Sequence, residues 1–197
     1  EAYYIKHEPL RHPPIFYYGH TACFFINKLL LAKILESGIN ATFEDMFAVG
    51  VDEMSWDDLD ENNYDWPSIK EVQNYRDQVR DIVDEIIMRL PMDNPINWES
   101  PWWPILMGIE HENIHIETSS AIFRQVPLDM IKQGSERWPL CKIDYDPPDN
   151  ELLDVAATTI VTNKDRQNGR VYGWDNEYGF KYDEVPAFRA SKYLVSN

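Results

Sequence analysis

The 197 residues carry 34 acidic against 18 basic side chains, a net charge of −16, and are 44% hydrophobic and 13% aromatic. That composition belongs to a folded chain rather than a disordered one, and its charge disfavours nucleic acid and anionic membrane surfaces as partners. Two cysteines far apart, Cys23 and Cys141, exclude a disulfide framework or a cysteine-based zinc site and fit a reducing, cytoplasmic setting.

Residues 1–14 read as an extended lead-in, because Pro9, Pro13 and Pro14 forbid a regular helix. The opening "EAYYIKHEPL" lacks the basic start and apolar run of a signal peptide. Residues 15–36 read as a long helix, apolar nearly all round, with Gly38 just past its end. Such a helix is buried in a bundle. Its longest apolar stretch is broken by Asn27, Lys28 and Lys33, so it is not expected to span a membrane.

Residues 39–67 form a long acidic connection with a helical turn expected near Phe43–Phe47. Its aspartates lack the spacing and closing glutamate of a calcium loop. A second helix follows from Ser68, whose pairing with Glu71 predicts a capping box. Val72, Tyr75, Val79, Ile82, Val83 and Ile86 recur at helical spacing until Pro91. The third helix is expected from Ser100 and Pro101 to about Val126, with a short helix in "LDMIKQ". After Arg137 the texture turns to β-formers and turn residues, with strands expected near 155–162 and 186–194 and a boundary near 136–150. Both ends read as cut from something longer, and a fourth bundle helix is expected upstream of residue 1 or as a short local substitute.

The chemistry centres on His111-Glu112-Asn113-Ile114-His115. Two histidines four apart on a helix lie about 40° apart around its axis and face the same way. The literal H-E-x-x-H suggests a zinc protease, but the flanks are charged at Glu110 and Glu117, and Thr118 and Ala121 stand where the extended form needs Gly and His. Glu136 is a conceivable distant ligand for that reading. A metal pair more simply takes its third ligand from a facing helix, and His20, mid-way along the first helix, is the best candidate. A histidine in that position is otherwise an ordinary core residue. His7 and His12, in the proline-rich lead-in, read as surface residues. Three neutral imidazoles with open positions suit Zn(II) or Fe(II), and the spacing does not choose between them. Phe16, Tyr17, Phe24 and Phe25 would keep such a site dry. Cys23 reads as a small buried hydrophobe. Tyr17 and Asn27 share a helical face with His20 and are candidate contacts to ligand or water.

Gly19-His20-Thr21 together with His111-x-x-x-His115-x-Glu117 resembles the non-heme iron sulfoxide synthases of thiol-histidine biosynthesis. Those enzymes join a DinB-like helical bundle to a domain similar to formylglycine-generating enzyme. The stretches "EPLRHPPIFYYGHTACFFINKL", "FAVGVDEMSWDDL" and "YGWDNEYG" look like the ovothiol branch, and "VPAFRASKYLVSN" like the first strand of the second domain. The resemblance implies a mainly α chain: a DinB-like bundle over residues 1–140, then a linker and the start of an α+β formylglycine-generating-enzyme-like domain over 141–197. It implies Fe(II) on His20, His111 and His115, O2 as co-substrate, and C–S bond formation between cysteine and histidine to give 5-histidylcysteine sulfoxide. Glu117 lies about 240° around the helix from His111 and reads as a residue packed behind the ligands. Ile114 replaces the Gln often found in the ergothioneine branch, favouring histidine over its trimethylated form. The alternatives are an ergothioneine-type synthase, or a DinB-like bundle performing zinc-dependent thiol transfer. In the family, the catalytic tyrosine and much of the substrate pocket come from the second domain, beyond the part of it present here.

Overall fold

The computed structural model describes residues 1–48, 60, 64–92, 96–97, 99–132, 148–165 and 172–195. It divides into two compact units, Glu1–Lys132 and Gln133–Asn197. Residues 49–59 and 61–63 of the acidic connection, Cys141, Glu136 and most of the expected boundary at 136–150 lie outside the described residues.

The first unit is built on α1 (Pro14–Leu31), α2 (Ala41–Met46), α3 (Ile69–Arg89) and α4 (Trp103–Phe123). Helix α1 is the centre. Ile15, Phe16, Cys23, Ile26 and Leu29 are all buried, and α2, α3 and α4 each pack against it. Its apolar circumference is what its sequence dictates. Helix α3 gives one stripe to the core, Val72, Tyr75, Val79 and Ile86, and leaves its charged face in solvent. The capping box is present: the Ser68 amide donates to Glu71 Oε2 at 2.8 Å and the Glu71 amide to Ser68 Oγ at 3.3 Å. A 3-10 turn at Ala2–Tyr4 precedes the prolines, and the Tyr4 hydroxyl bridges the Pro67 carbonyl and the Ile69 amide at the start of α3.

Three helix ends differ from the sequence expectation, one of them the end of α4, at Phe123 rather than about Val126. Helix α1 stops at Leu31 rather than 36. Lys33 adopts a left-handed φ of 58°, and the Lys33 and Ile34 amides fold back onto the Leu30 and Leu29 carbonyls, both at 2.9 Å. This is a Schellman turn with lysine where glycine is usual. Gly38 serves another purpose: a Cβ there would collide with the Glu44 carboxylate. That carboxylate accepts the Ile39 and Asn40 amides at 2.7 and 3.1 Å and, with the Asn40 side chain on the Phe43 amide, caps α2. Helix α4 begins at Trp103, two residues later than expected, so Pro104 rather than Pro101 occupies its first turn. Ser100 Oγ still accepts the Trp102 amide. The short helix after Pro127 is a single 3-10 turn, Leu128–Met130.

The second unit contains β1 (Leu152–Val155), β2 (Thr158–Lys164), β3 (Gly179–Val185) and β4 (Phe188–Ser191), with a 3-10 turn at Asp175–Glu177. Strand β3 was absent from the sequence expectation. β1 pairs with β4 and β2 with β3, both antiparallel, from Leu152 opposite Ser191 to Lys164 opposite Gly179. The register does not slip across the two-residue gap in each strand, so the two ladders form one long ribbon. Pro186 lies in that gap and has no amide to donate to a ladder. One face of the ribbon carries the Asp154–Arg189 and Lys181–Asp183 ion pairs. The other presents Leu153, Val155, Phe188, Val161, Tyr182 and Phe180, all exposed.

Helices α1 and α4 approach closely where Gly108 faces Phe25, and a Cβ at 108 would overlap the Phe25 ring. Gly108→Ala should therefore destabilise the protein by about 1–3 kcal/mol, read as a lower urea midpoint at unchanged slope. An unchanged midpoint would show that the two helices have slack at this crossing.

Candidate metal centre

Helix α1 supplies His20, and α4 supplies His111 and His115 from successive turns of one face. The ligand nitrogens of the three lie within 4.8 Å of one another. His111 Nε2 is 3.1 Å from His20 Nε2 and 3.1 Å from His115 Nε2. Three mutually facing imidazole nitrogens have few protons to share. Two nitrogens each about 2.0–2.1 Å from one ion sit about 3 Å apart, so the spacing suits a single metal ion.

Each imidazole is backed by an aromatic ring of α1. Phe16 stacks on His20 with centroids 5.1 Å apart, and Phe24 on His111 at 3.7 Å. Tyr17 leans on His115 at 5.7 Å. His20 and His111 are buried and His115 is half-buried, so the trio opens on the side of His115 and Tyr17. Burial opposes protonation, and His111 is pushed down to about 2, with His20, His115 and Lys28 adding to the effect. Burial also lowers His115, against a smaller opposing pull from Glu112. His111 and His115 are thus held neutral, the state in which imidazole binds metal.

His20 Nδ1 is 2.6 Å from the Phe47 carbonyl oxygen. A carbonyl only accepts, so Nδ1 carries the proton and Nε2 presents its lone pair to the other two rings. Phe47 is the C-cap of α2, and nothing in the sequence marked its carbonyl as part of the site.

The other expected residues divide. Tyr17 stands beside His115, and its hydroxyl accepts the His12 amide at 3.3 Å. Asn27 does not reach the trio. Two turns along α1 from His20, it donates to Cys23 Sγ and to the Glu44 carbonyl, at 3.3 and 3.2 Å. Glu117 is exposed and outside the cluster. Cys23 is fully buried, donates to the Glu44 carbonyl, and has its thiol pushed up to about 12, chiefly by burial. Phe25 packs on Gly108 instead of on an imidazole.

Two histidines depart from the surface role expected of them. His12 is buried, tilted against Phe16 at 4.2 Å and edge-on to Tyr64 and Trp66. His7 is half-buried, with Nε2 3.0 Å from the Ala2 carbonyl. The chain before α1 is folded against the aromatic cluster, a tertiary effect that proline content does not reveal.

Glu112, the residue that gives the motif its protease look, turns from the trio to α3, where it lies 3.7 Å from Arg76. Arg76 in turn donates to the Tyr18 carbonyl and to Thr21 Oγ1, both at 2.7 Å. It therefore ties α3 to α1 on either side of His20 in sequence and to α4 beside His111.

Residues 1–119, more than half of the chain, match the DinB superfamily. The chain belongs to that superfamily. It is also 26% identical, over 206 aligned positions and 95% of its length, to "Ergothioneine biosynthesis protein 1" of Neurospora crassa. The alignment covers 23% of that relative, so the chain spans about a quarter of its length. All three histidines of the trio lie within the residues that match the DinB superfamily. Among the described residues no helix is long and apolar enough to cross a membrane.

The neutral state of His111 has a consequence for acid stability. Its folded value, about 2, lies below the ordinary histidine value of about 6.5. Between those values the unfolded chain takes up a proton that the folded one refuses. This contribution is therefore complete above about pH 6.5 and falls with decreasing pH by at most about 1.4 kcal/mol per unit. The metal-free protein should lose urea resistance between pH 7 and pH 5, with a shallower loss in His111→Asn. Equal pH slopes for the two proteins would show that His111 titrates normally.

Proposed function

We propose that the chain is the metal-binding part of an O2-dependent sulfoxide synthase, with Fe(II) held by Nε2 of His20, His111 and His115. The observation that carries this reading is the three-histidine cluster, with two of its rings buried, in a DinB-superfamily chain. It is supported by the likeness to a protein named for ergothioneine biosynthesis. The ribbon of the second unit then belongs to the start of a formylglycine-generating-enzyme-like domain, and the domains divide near residue 140.

The iron, when bound, supplies O2 binding and the redox chemistry. The residues of the chain prepare for it. Three neutral imidazoles leave the charge of a divalent ion uncompensated, so the ligand set itself favours an anionic substrate group such as a thiolate. Phe16 and Phe24 close two sides against water, and Tyr17 with half-buried His115 borders the side by which substrates enter. Holding both substrates at one point is worth several orders of magnitude in rate. In the overall reaction the thiol hydrogen and one ring hydrogen are lost and a C–S bond forms. One oxygen atom of O2 stays on sulfur and the other leaves as water. A reducing cytoplasm would keep the cysteine substrate as a thiol.

We assign histidine as the acceptor, the ovothiol-type reaction. Ile114, which precedes His115 and is exposed, offers no polar group where the ergothioneine branch often has Gln. The name of the Neurospora crassa relative favours a second reading, with trimethylated histidine as acceptor. Glu117, exposed on α4, keeps no role at the metal in either reading.

Anaerobic titration should load about one Fe(II) per chain, and His111→Ala should weaken binding by more than about 100-fold, beyond the usual cost of losing a supporting contact. Mass spectrometry of products from cysteine with histidine or trimethylated histidine, on the full-length protein, then separates the two acceptors. Tight zinc with no iron would overturn the synthase and favour zinc-dependent thiol transfer.

A further inference from the structure

Resting on the reading of the trio as a metal site, we propose that Phe47 is a positioning residue for it. Its main-chain carbonyl locks His20 in the Nδ1–H tautomer, and its ring holds that carbonyl in place. The two tautomers of a neutral imidazole are close in energy, so a buried N–H···O=C bond of 2.6 Å decides between them. Among the described residues neither of the other ligands has an equivalent support. His111 Nδ1 is buried without a hydrogen-bond partner, and the contact of His115 Nδ1 is Thr118 Oγ1 at 3.5 Å. The tautomeric order of the trio is therefore set at His20.

Several features keep the Phe47 carbonyl where it is. The ring is fully buried, edge-on to Phe43 at 5.4 Å and stacked with Trp66 at 6.3 Å. It lies over Gly19, where a Cβ would come within 2.5 Å of its Cε2 and Cζ atoms. Position 19 must thus be Gly in this chain. One turn further along α1, the Glu44 carbonyl is held by Cys23 Sγ and Asn27 Nδ2. Residues 19, 20, 23 and 27 lie along one side of α1, and that side is given to α2. The end of α2, where helix carbonyls lack partners of their own, spends two of them on α1 side chains. Asn27 thus acts on the site at second hand, by fastening the element that fastens His20.

The test reads tautomer and metal separately. Long-range 15N–1H NMR of the metal-free protein should show His20 as the Nδ1–H form with a slowly exchanging proton. Gly19→Ala, which displaces the Phe47 ring, should give a mixed or Nε2–H pattern. Its Co(II) affinity should fall about 10- to 100-fold, the usual range for losing a supporting contact to a metal-bound histidine, while far-UV circular dichroism stays helical. If that variant does not fold, Phe47→Leu, which keeps an apolar side chain, serves with the same expected shifts. A wild-type Nε2–H tautomer, or folded variants with unchanged tautomer and Co(II) affinity, would overturn the proposal. A wild-type Nδ1–H tautomer without Co(II) affinity would uphold the role of Phe47 toward His20 and sink the metal reading alone.

Discussion

Burial of α1 on nearly every side is the constraint on which the helical unit depends. A helix apolar around its whole circumference cannot rest on one neighbour, and α2, α3 and α4 each take a different strip of it. The cost is that any polar group on α1 must find a partner inside the protein. His20 finds the Phe47 carbonyl, Thr21 finds Arg76, and Cys23 and Asn27 find the Glu44 carbonyl. The polar residues of α1 are thereby the joints between it and its neighbours. His20 is the joint that also faces the two histidines of α4.

The same helix explains why the trio is dry. Positions 16, 17, 20 and 24 place three aromatic rings and one imidazole on α1 where α4 brings up its histidine pair, and each imidazole meets a ring. The motif on α4 has a carboxylate beside its first histidine, which in a zinc protease serves as the general base. Here that carboxylate is one residue round the helix from the pair, on the α3 side, and meets Arg76. Neighbouring residues on a helix are about 100° apart, so Glu112 and His111 serve different interfaces.

Much of this was legible in the sequence because it rests on periodicity and local chemistry. The stripe of α3, its capping box and the shared face of His111 and His115 follow from spacing alone. His20 was legible by elimination, since a pair on one helix needs a third partner from another. What was not legible depends on tertiary approach. The end of α1 was misplaced because Lys33 takes a conformation that glycine usually takes, and Gly38, which looked like the cap, makes room for Glu44 instead. His12 looked exposed because its neighbours are prolines, yet the aromatic residues that bury it, Tyr64 and Trp66, lie some fifty residues on. Asn27 has the correct angle on α1 to join His20 and the wrong height. Phe47 contributes a backbone atom, which any residue type would have carried. Strand β3 was missed because Lys181, Asp183 and Glu184 interrupt its apolar positions, and only the pairing with β2 makes its alternation plain.

The unbroken register of the β-ribbon limits how this part of the chain can vary over evolution. Both ladders count from the same pairing, so the segment between Lys164 and Gly179 can lengthen or shorten without disturbing any pair on either side. An extra residue at 156–157 or 186–187 is a different event. On one strand alone it would displace the pairs of one ladder relative to the other or force a bulge, and matched by one on the opposite strand it would turn the apolar face of β1 and β4 to the opposite side from that of β2 and β3. Homologues should therefore differ in length at the tip of the ribbon and keep the gap at two residues on each strand.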